Sequence, residues 1–181
     1  MGQIIPRSML TQSQITSKLM SMQNELIAMA AKATNTSPSE WVCRDALPLT
    51  DFNFNSERWV NQTLFAALNT FQRDWLFQLP IDKYVAFYGV VQNPVNPTIY
   101  GIRFRQGNAG ATTIDTIHFR KILEEDNVIG YFDRIIYRAQ STIWIDLIAD
   151  ALTPAFSEEF EILAIVCEKY GNVVSGDKSI V

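Results

Sequence analysis

From Lys83 onward, apolar residues recur at every second position, and no stretch between the runs is long and periodic enough to be a helix. The runs are KYVAFYGVV (Lys83–Val91), TIYGIRFR (Thr98–Arg105), TTIDTIHFRKI (Thr112–Ile122), VIGYFDRIIYR (Val128–Arg138), STIWIDLIAD (Ser141–Asp150) and EEFEILAIVCEKY (Glu158–Tyr170). Turn signals separate them: QNPVNP, QGNAGA, LEEDN, AQ and LTPAFS. Parallel strands would need crossover helices, so short connections predict antiparallel pairing. The expected architecture is a β-sandwich or small barrel of about six strands. The unbroken apolar run Ile162–Cys167 predicts burial on both faces of its strand.

The front of the chain reads differently. Residues 1–9 have no period and contain Pro6, which suggests an extended arm. Between Thr11 and Lys32 the apolar positions Ile15, Leu19, Met22, Leu26, Ile27 and Met29 are three or four apart. That spacing forms one stripe on a helix, with Thr11 as its N-cap. A helix with a polar face of mostly Ser, Gln and Lys is expected to pack on something. TNTSPSE (Thr34–Glu40) reads as a loop. A second helix is predicted from Trp59 to Leu79, where Leu64, Ala67, Leu68, Phe71, Trp75 and Leu79 recur and Pro80 ends the run. The aromatic residues there (Trp59, Phe65, Phe71, Trp75, Phe77) are expected in the core. The fold class expected is therefore α+β. An arm and helix (1–33) come first, a loop and aromatic-rich helix (34–80) second, and an antiparallel β domain (81–181) last.

Charge is segregated along the 181 residues, whose formal net charge is −4. Residues 103–138 hold six basic residues against five acids, whereas residues 139–181 hold two against seven. Strand alternation places Arg103 and Arg105 on one side of their strand, opposite Ile102 and Phe104. His118 and Arg120 share a side on the next strand, and Arg134 and Arg138 share one on a third. If these strands are neighbours, five arginines lie on one sheet face. Such a face could be a solvated outer surface, a contact for acidic protein, or a contact for phosphate. The sequence pI near 5.0 and the scarcity of lysine weigh against phosphate.

Catalytic signals are absent. The single histidine, His118, sits among arginines on a predicted strand face. One histidine and two distant cysteines cannot complete a zinc site. Neither EED (Glu124–Asp126) nor EEFE (Glu158–Glu161) has the ligand spacing of a calcium loop. No Walker loop, GxGxxG, GxSxG or HExxH is present. These absences predict a protein that is not an enzyme, with no catalytic residue, metal, cofactor or small-molecule substrate. MGQIIP carries proline where a myristoylation site wants Ser or Thr, and NTS at Asn35 and NQT at Asn61 read as chance matches. Without a signal-peptide core or a long apolar run, neither a secretory nor a membrane route is expected. Cys43 and Cys167 are read as reduced, with a disulfide between them left open.

A polar arm, a helix, a sandwich, segregated charge and no catalytic set resemble in organisation the small structural proteins of tailed-phage virions: decoration, cement, neck or tail components. No single motif carries that resemblance. It implies a non-enzymatic subunit of a large symmetric particle, the virion, assembled in the host cytoplasm. Its partners would be copies of itself and other structural proteins. The contacts expected are the N-terminal arm, the arginines (Arg103, Arg105, Arg120, Arg134, Arg138) and the helix stripe (Ile15, Leu19, Met22, Leu26). The alternatives are a DNA-contacting module using the same arginines, and a sugar-binding sandwich using Tyr100 or Trp144, aromatics otherwise expected in the core.

Overall fold

The computed structural model describes residues 2–54, 66–92, 98–107, 112–119, 129–150 and 160–172. It is mostly β, with two antiparallel sheets and few helices. The larger sheet has five strands, in the order β1 (Ile4–Pro6), β7 (Ile129–Tyr137), β4 (Tyr84–Gln92), β9 (Phe160–Lys169) and β2 (Trp41–Asp45). The smaller sheet has four, in the order β3 (Gln72–Gln78), β8 (Thr142–Ala149), β5 (Ile99–Gln106) and β6 (Thr112–His118). Helix α1 covers Gln12–Thr34, and α2 (Pro48–Phe52) is little more than one turn.

The sheets enclose a core to which both contribute alternate residues. Val85, Phe87 and Val90 of β4 meet Ile102 and Phe104 of β5, with Phe132 and Tyr137 of β7 and Ile143, Ile145 and Leu147 of β8. Phe87 lies 5.2 Å from Phe104 and 5.8 Å from Tyr137, ring centre to ring centre. These are separations at which aromatic pairs attract beyond simple area burial.

A second apolar layer lies on the other side of the five-stranded sheet, under α1. Ile15, Met22, Leu26, Ala30 and Ala31 of the helix meet Trp41, Tyr84, Ala86, Tyr88, Ile165 and Cys167. β4 and β9 are therefore covered on both faces, which is why ILAIVC is apolar without alternation. Each fully buried side chain in this layer, such as Leu26, contributes roughly 1.5–3 kcal/mol. Thr11 and Gln14 form a reciprocal cap at the start of α1, and Asn35 ends it in the left-handed conformation (φ 54°).

The region expected to form the second helix departs from expectation. Residues 55–65, with Trp59 and Phe65, lie outside the described residues. Gln72–Gln78 is a strand, β3, paired with β8. The reason is arithmetic. Positions four apart share a helix face, but they also share a strand face. Trp75, Phe77 and Leu79 point towards the core, and a bulge between Arg73 and Trp75 displaces Phe71 from that alternation.

The sequence-adjacent strands β7 and β8 also differ from a hairpin. The Arg138–Ser141 turn, with Gln140 at φ 62°, carries the chain from one sheet to the other. Gln140 N–H donates to Pro80 O (3.3 Å) and Leu79 N–H to Ser141 O (3.0 Å), so this turn is tied to the β3–β4 turn.

The arm is docked within the chain. Ile4–Pro6 pairs with Gly130–Phe132 of β7, and Gly2 N–H donates to Thr116 O of β6 (3.0 Å). One short segment thus contacts both sheets.

Candidate functional site

The two outer faces of the sandwich differ. α1 contacts β2, β4 and β9 of the larger sheet, and no described helix covers the smaller sheet comparably. On the smaller sheet's outer face the side chains form a ladder of guanidinium groups and rings around one carboxylate.

Asp146 on β8 is the centre. It is directly opposite Arg73 on β3 and Arg103 on β5, and it is wholly buried. Arg103 Nε donates to Oδ2 at 2.7 Å, and Arg105 Nη2 donates to Oδ1 at 2.7 Å. The guanidinium carbons then stack on rings. Arg103 lies 4.6 Å above Phe71, while Arg105 and Arg73 lie 4.9 and 5.3 Å from the centre of Trp144. Both arginine side chains remain partly exposed, 28% for Arg103 and 20% for Arg105. Arg105 Nε and Trp144 Nε1 are buried without a hydrogen-bond partner among the described residues, so stacking and the Asp146 contact hold this pair in place.

The ladder continues toward β6. His118 meets Phe71 edge-on (5.8 Å) and Tyr100 face-on (6.0 Å), and Tyr100 Oη donates to Asn69 Oδ1 (2.9 Å). Gly101 makes room for this. A Cβ there would lie 2.8 Å from Ile148 Cγ2 and 3.1 Å from His118 Nδ1. At the other end Leu76, opposite Trp144, is exposed. The chemistry available is charge pairing and apolar contact. Two guanidinium groups share one carboxylate, while Trp144, Phe71 and Tyr100 each already carry a stacked cation or imidazole.

The residues named from sequence are divided by this geometry. Arg103 and Arg105 are together. Arg134 and Arg138 are not on that face, because β7 belongs to the other sheet. Arg134 pairs with Glu25 of α1 (2.5 Å), and Arg138 is exposed just after β7. Arg120 lies outside the described residues, as do Glu124–Asp126. A single face with five arginines is therefore not formed by the described residues. Ile15, Met22 and Leu26 are buried against the chain's own sheet, with Leu19 half-buried beside them. Tyr100 and Trp144 lie on the outer face, not in the core. Reading the sequence also missed Arg73, Phe71 and Asp146. Arg73 and Phe71 were hidden by the helix expectation, and Asp146 is an isolated acid inside an apolar strand, a pattern that asks for a cationic partner.

A second charged cluster sits at the β2 edge. Arg44 grips Asp51 through two bonds (2.7 and 2.8 Å), and its Nε donates to Glu168 (2.7 Å). Lys83 Nζ donates to Asp51 at 2.7 Å. Burial alone would raise the Asp51 carboxyl's pKa. The Arg44 pair, the Leu47 N–H and Lys83 outweigh it and hold the group below its ordinary range. Two cations balance two carboxylates, as a structural tie between α2, β2, β9 and the start of β4 should.

Among the described residues no group of three or more His, Cys, Asp or Glu could hold a metal ion, and no helix is long and apolar enough to cross a membrane. Fold and face together define a helix-backed two-sheet sandwich whose other outer face carries arginines and is covered by no described helix. No protein-family model, curated protein or solved structure matches the chain.

Proposed function

We propose that this chain is a non-enzymatic assembly subunit of a large symmetric particle, of the kind found in virions. Its docking surface would be the outer face of the four-stranded sheet. The observation that carries the reading is Arg103 and Arg105 held on Asp146, with Arg73 beside them over Trp144. Arginine held by stacking and by a buried carboxylate has already lost much of its rotational freedom, so a partner orders less on binding. Two arginines on one buried carboxylate favour an acidic partner, and the acid-rich 139–181 segment of another copy fits that description.

The same geometry weighs against recognition of sugars or bases by stacking. Sugar or base recognition by stacking needs a free ring face. Trp144, Phe71 and Tyr100 already carry Arg73 and Arg105, Arg103 and His118. Contacts through the apolar stripe of α1 are disfavoured as well, because that stripe packs inside the chain.

Light scattering across a range of protein concentrations and salt tests the proposal. Concentration-dependent self-association, weakened by salt and by Leu76→Asp, is expected. Leu76 is exposed beside Trp144 and does not grip Asp146, so this change alters the face without dismantling it. A monomer at every concentration and salt would refute self-assembly through this face. Salt-sensitive binding to duplex DNA with no self-association would favour the nucleic-acid alternative.

A further inference from the structure

Cys43 and Cys167 lie 124 positions apart in sequence but directly opposite each other on β2 and β9. The hydrogen-bonding phase of this ladder is set two residues further on from Arg44. Ala46 N–H donates to Ala164 O (3.0 Å), and Ala46 and Ala164 are opposed in the same register. Hydrogen-bonded and non-hydrogen-bonded pairs alternate along an antiparallel ladder. Counting back three positions makes Cys43–Cys167 a non-hydrogen-bonded pair. At such a pair the Cα atoms are about 4.5 Å apart and the side chains are closest, within the roughly 4.4–6.8 Å range that a disulfide spans.

The two side chains share a face, since both belong to the layer beneath α1. Cys43 Sγ donates to the Gln23 carbonyl of α1 (3.7 Å). Both are free thiols. They differ in access: Cys167 is fully buried, whereas Cys43 is only partly buried, on the sheet's edge strand.

We propose that Cys43 and Cys167 are a reversible redox-modification site, oxidised by a small-molecule disulfide of the glutathione class to a cross-strand bond that fastens β2 to β9. Cys43, the accessible thiol, reacts first. As thiolate it attacks one sulfur of the reagent and expels the first reagent thiolate, which takes up the proton Cys43 gave up. A mixed disulfide is left on Cys43. Cys167 Sγ, on the residue directly opposite, then attacks the Cys43 sulfur and expels the second reagent thiolate, which takes the Cys167 proton. One S–S bond is lost from the reagent and one is formed in the protein, and two electrons pass from the protein thiols to the reagent. The order fits the local chemistry, because the neighbouring Cys167 thiol lowers the Cys43 pKa, while the Cys43 thiol and burial raise that of Cys167.

Equilibrating the purified chain in oxidised and reduced glutathione, then unfolding it, alkylating free thiols and weighing it, tests this. A single chain lighter by two hydrogens, with no alkylatable thiol and a linked peptide holding both cysteines, is expected. Reductant should restore both thiols. The oxidised form should melt on the order of 10 °C higher, because a loop this long is closed. Cys167→Ser should stop at the glutathione adduct on Cys43, and Cys43→Ser should leave Cys167 unmodified in the folded protein. Two alkylatable thiols at every glutathione ratio, or a disulfide joining two chains, would overturn the proposal.

Discussion

Asp146→Asn is the sharpest test of the outer-face ladder. The substitution keeps the side chain's shape, so it opens no cavity. It replaces one carboxylate oxygen by an NH2 group that must face guanidinium donors, and it removes the charge shared by Arg103 and Arg105. Both carboxylate oxygens are engaged in the native protein, Oδ2 by Arg103 at 2.6–2.7 Å and Oδ1 by Arg105 at 2.7 Å. Removing one member of a buried ion pair costs about 3–5 kcal/mol. The guanidinium groups here are partly exposed and regain some water, so the expected loss is smaller, about 2–4 kcal/mol. At roughly 2–4 °C per kcal/mol for a chain of this size, the melting midpoint should fall by about 5–15 °C. Urea unfolding followed by far-ultraviolet circular dichroism measures the free energy directly, and an unchanged slope would place the effect in the native state. Arg103→Gln combined with Asp146→Asn should show coupling of at least about 1 kcal/mol. A change within about 0.5 kcal/mol for Asp146→Asn would refute the account, since it would mean the carboxylate is not what organises the arginines.

The cluster at the β2 edge gives a pH dependence. The folded-state pKa of Asp51 is depressed, so its contribution is present above the unfolded carboxyl value, about 3.9, and is lost as pH falls through the lower folded value. Thermal melts from pH 6 to pH 2 should therefore show a loss below about pH 4 that Asp51→Asn diminishes. Leu26→Ala, at a wholly buried position in the helix–sheet layer, should cost about 2–5 kcal/mol in urea unfolding. Gly101→Ala should cost about 1–3 kcal/mol and disturb the His118 ring resonances by NMR, because the added methyl meets Ile148 and His118.

Most strands from Tyr84 onward were legible because they alternate in a period that only a sheet satisfies, and ILAIVC, which does not alternate, was legible as a strand covered on both sides. Helix α1 was legible from its stripe and its Thr11 cap. Three things were not. β3 was obscured because Phe71, Trp75 and Leu79 satisfy both periods until a bulge is known. The sheet to which each strand belongs depends on long-range pairing that no local pattern encodes, and this separated Arg134 and Arg138 from Arg103 and Arg105. The ladder itself depends on register: Asp146 means little in sequence until Arg73 and Arg103 are known to stand on either side of it.

The arm has a consequence for how copies of this protein behave in crowded solution. Its few residues cap the outermost backbone of β7 and meet β6 at Thr116, places where a sheet would otherwise offer unused donors and acceptors to any passing strand. A chain lacking residues 2–6 would keep its core but leave that backbone bare, and it should form β-rich aggregates that the intact chain resists.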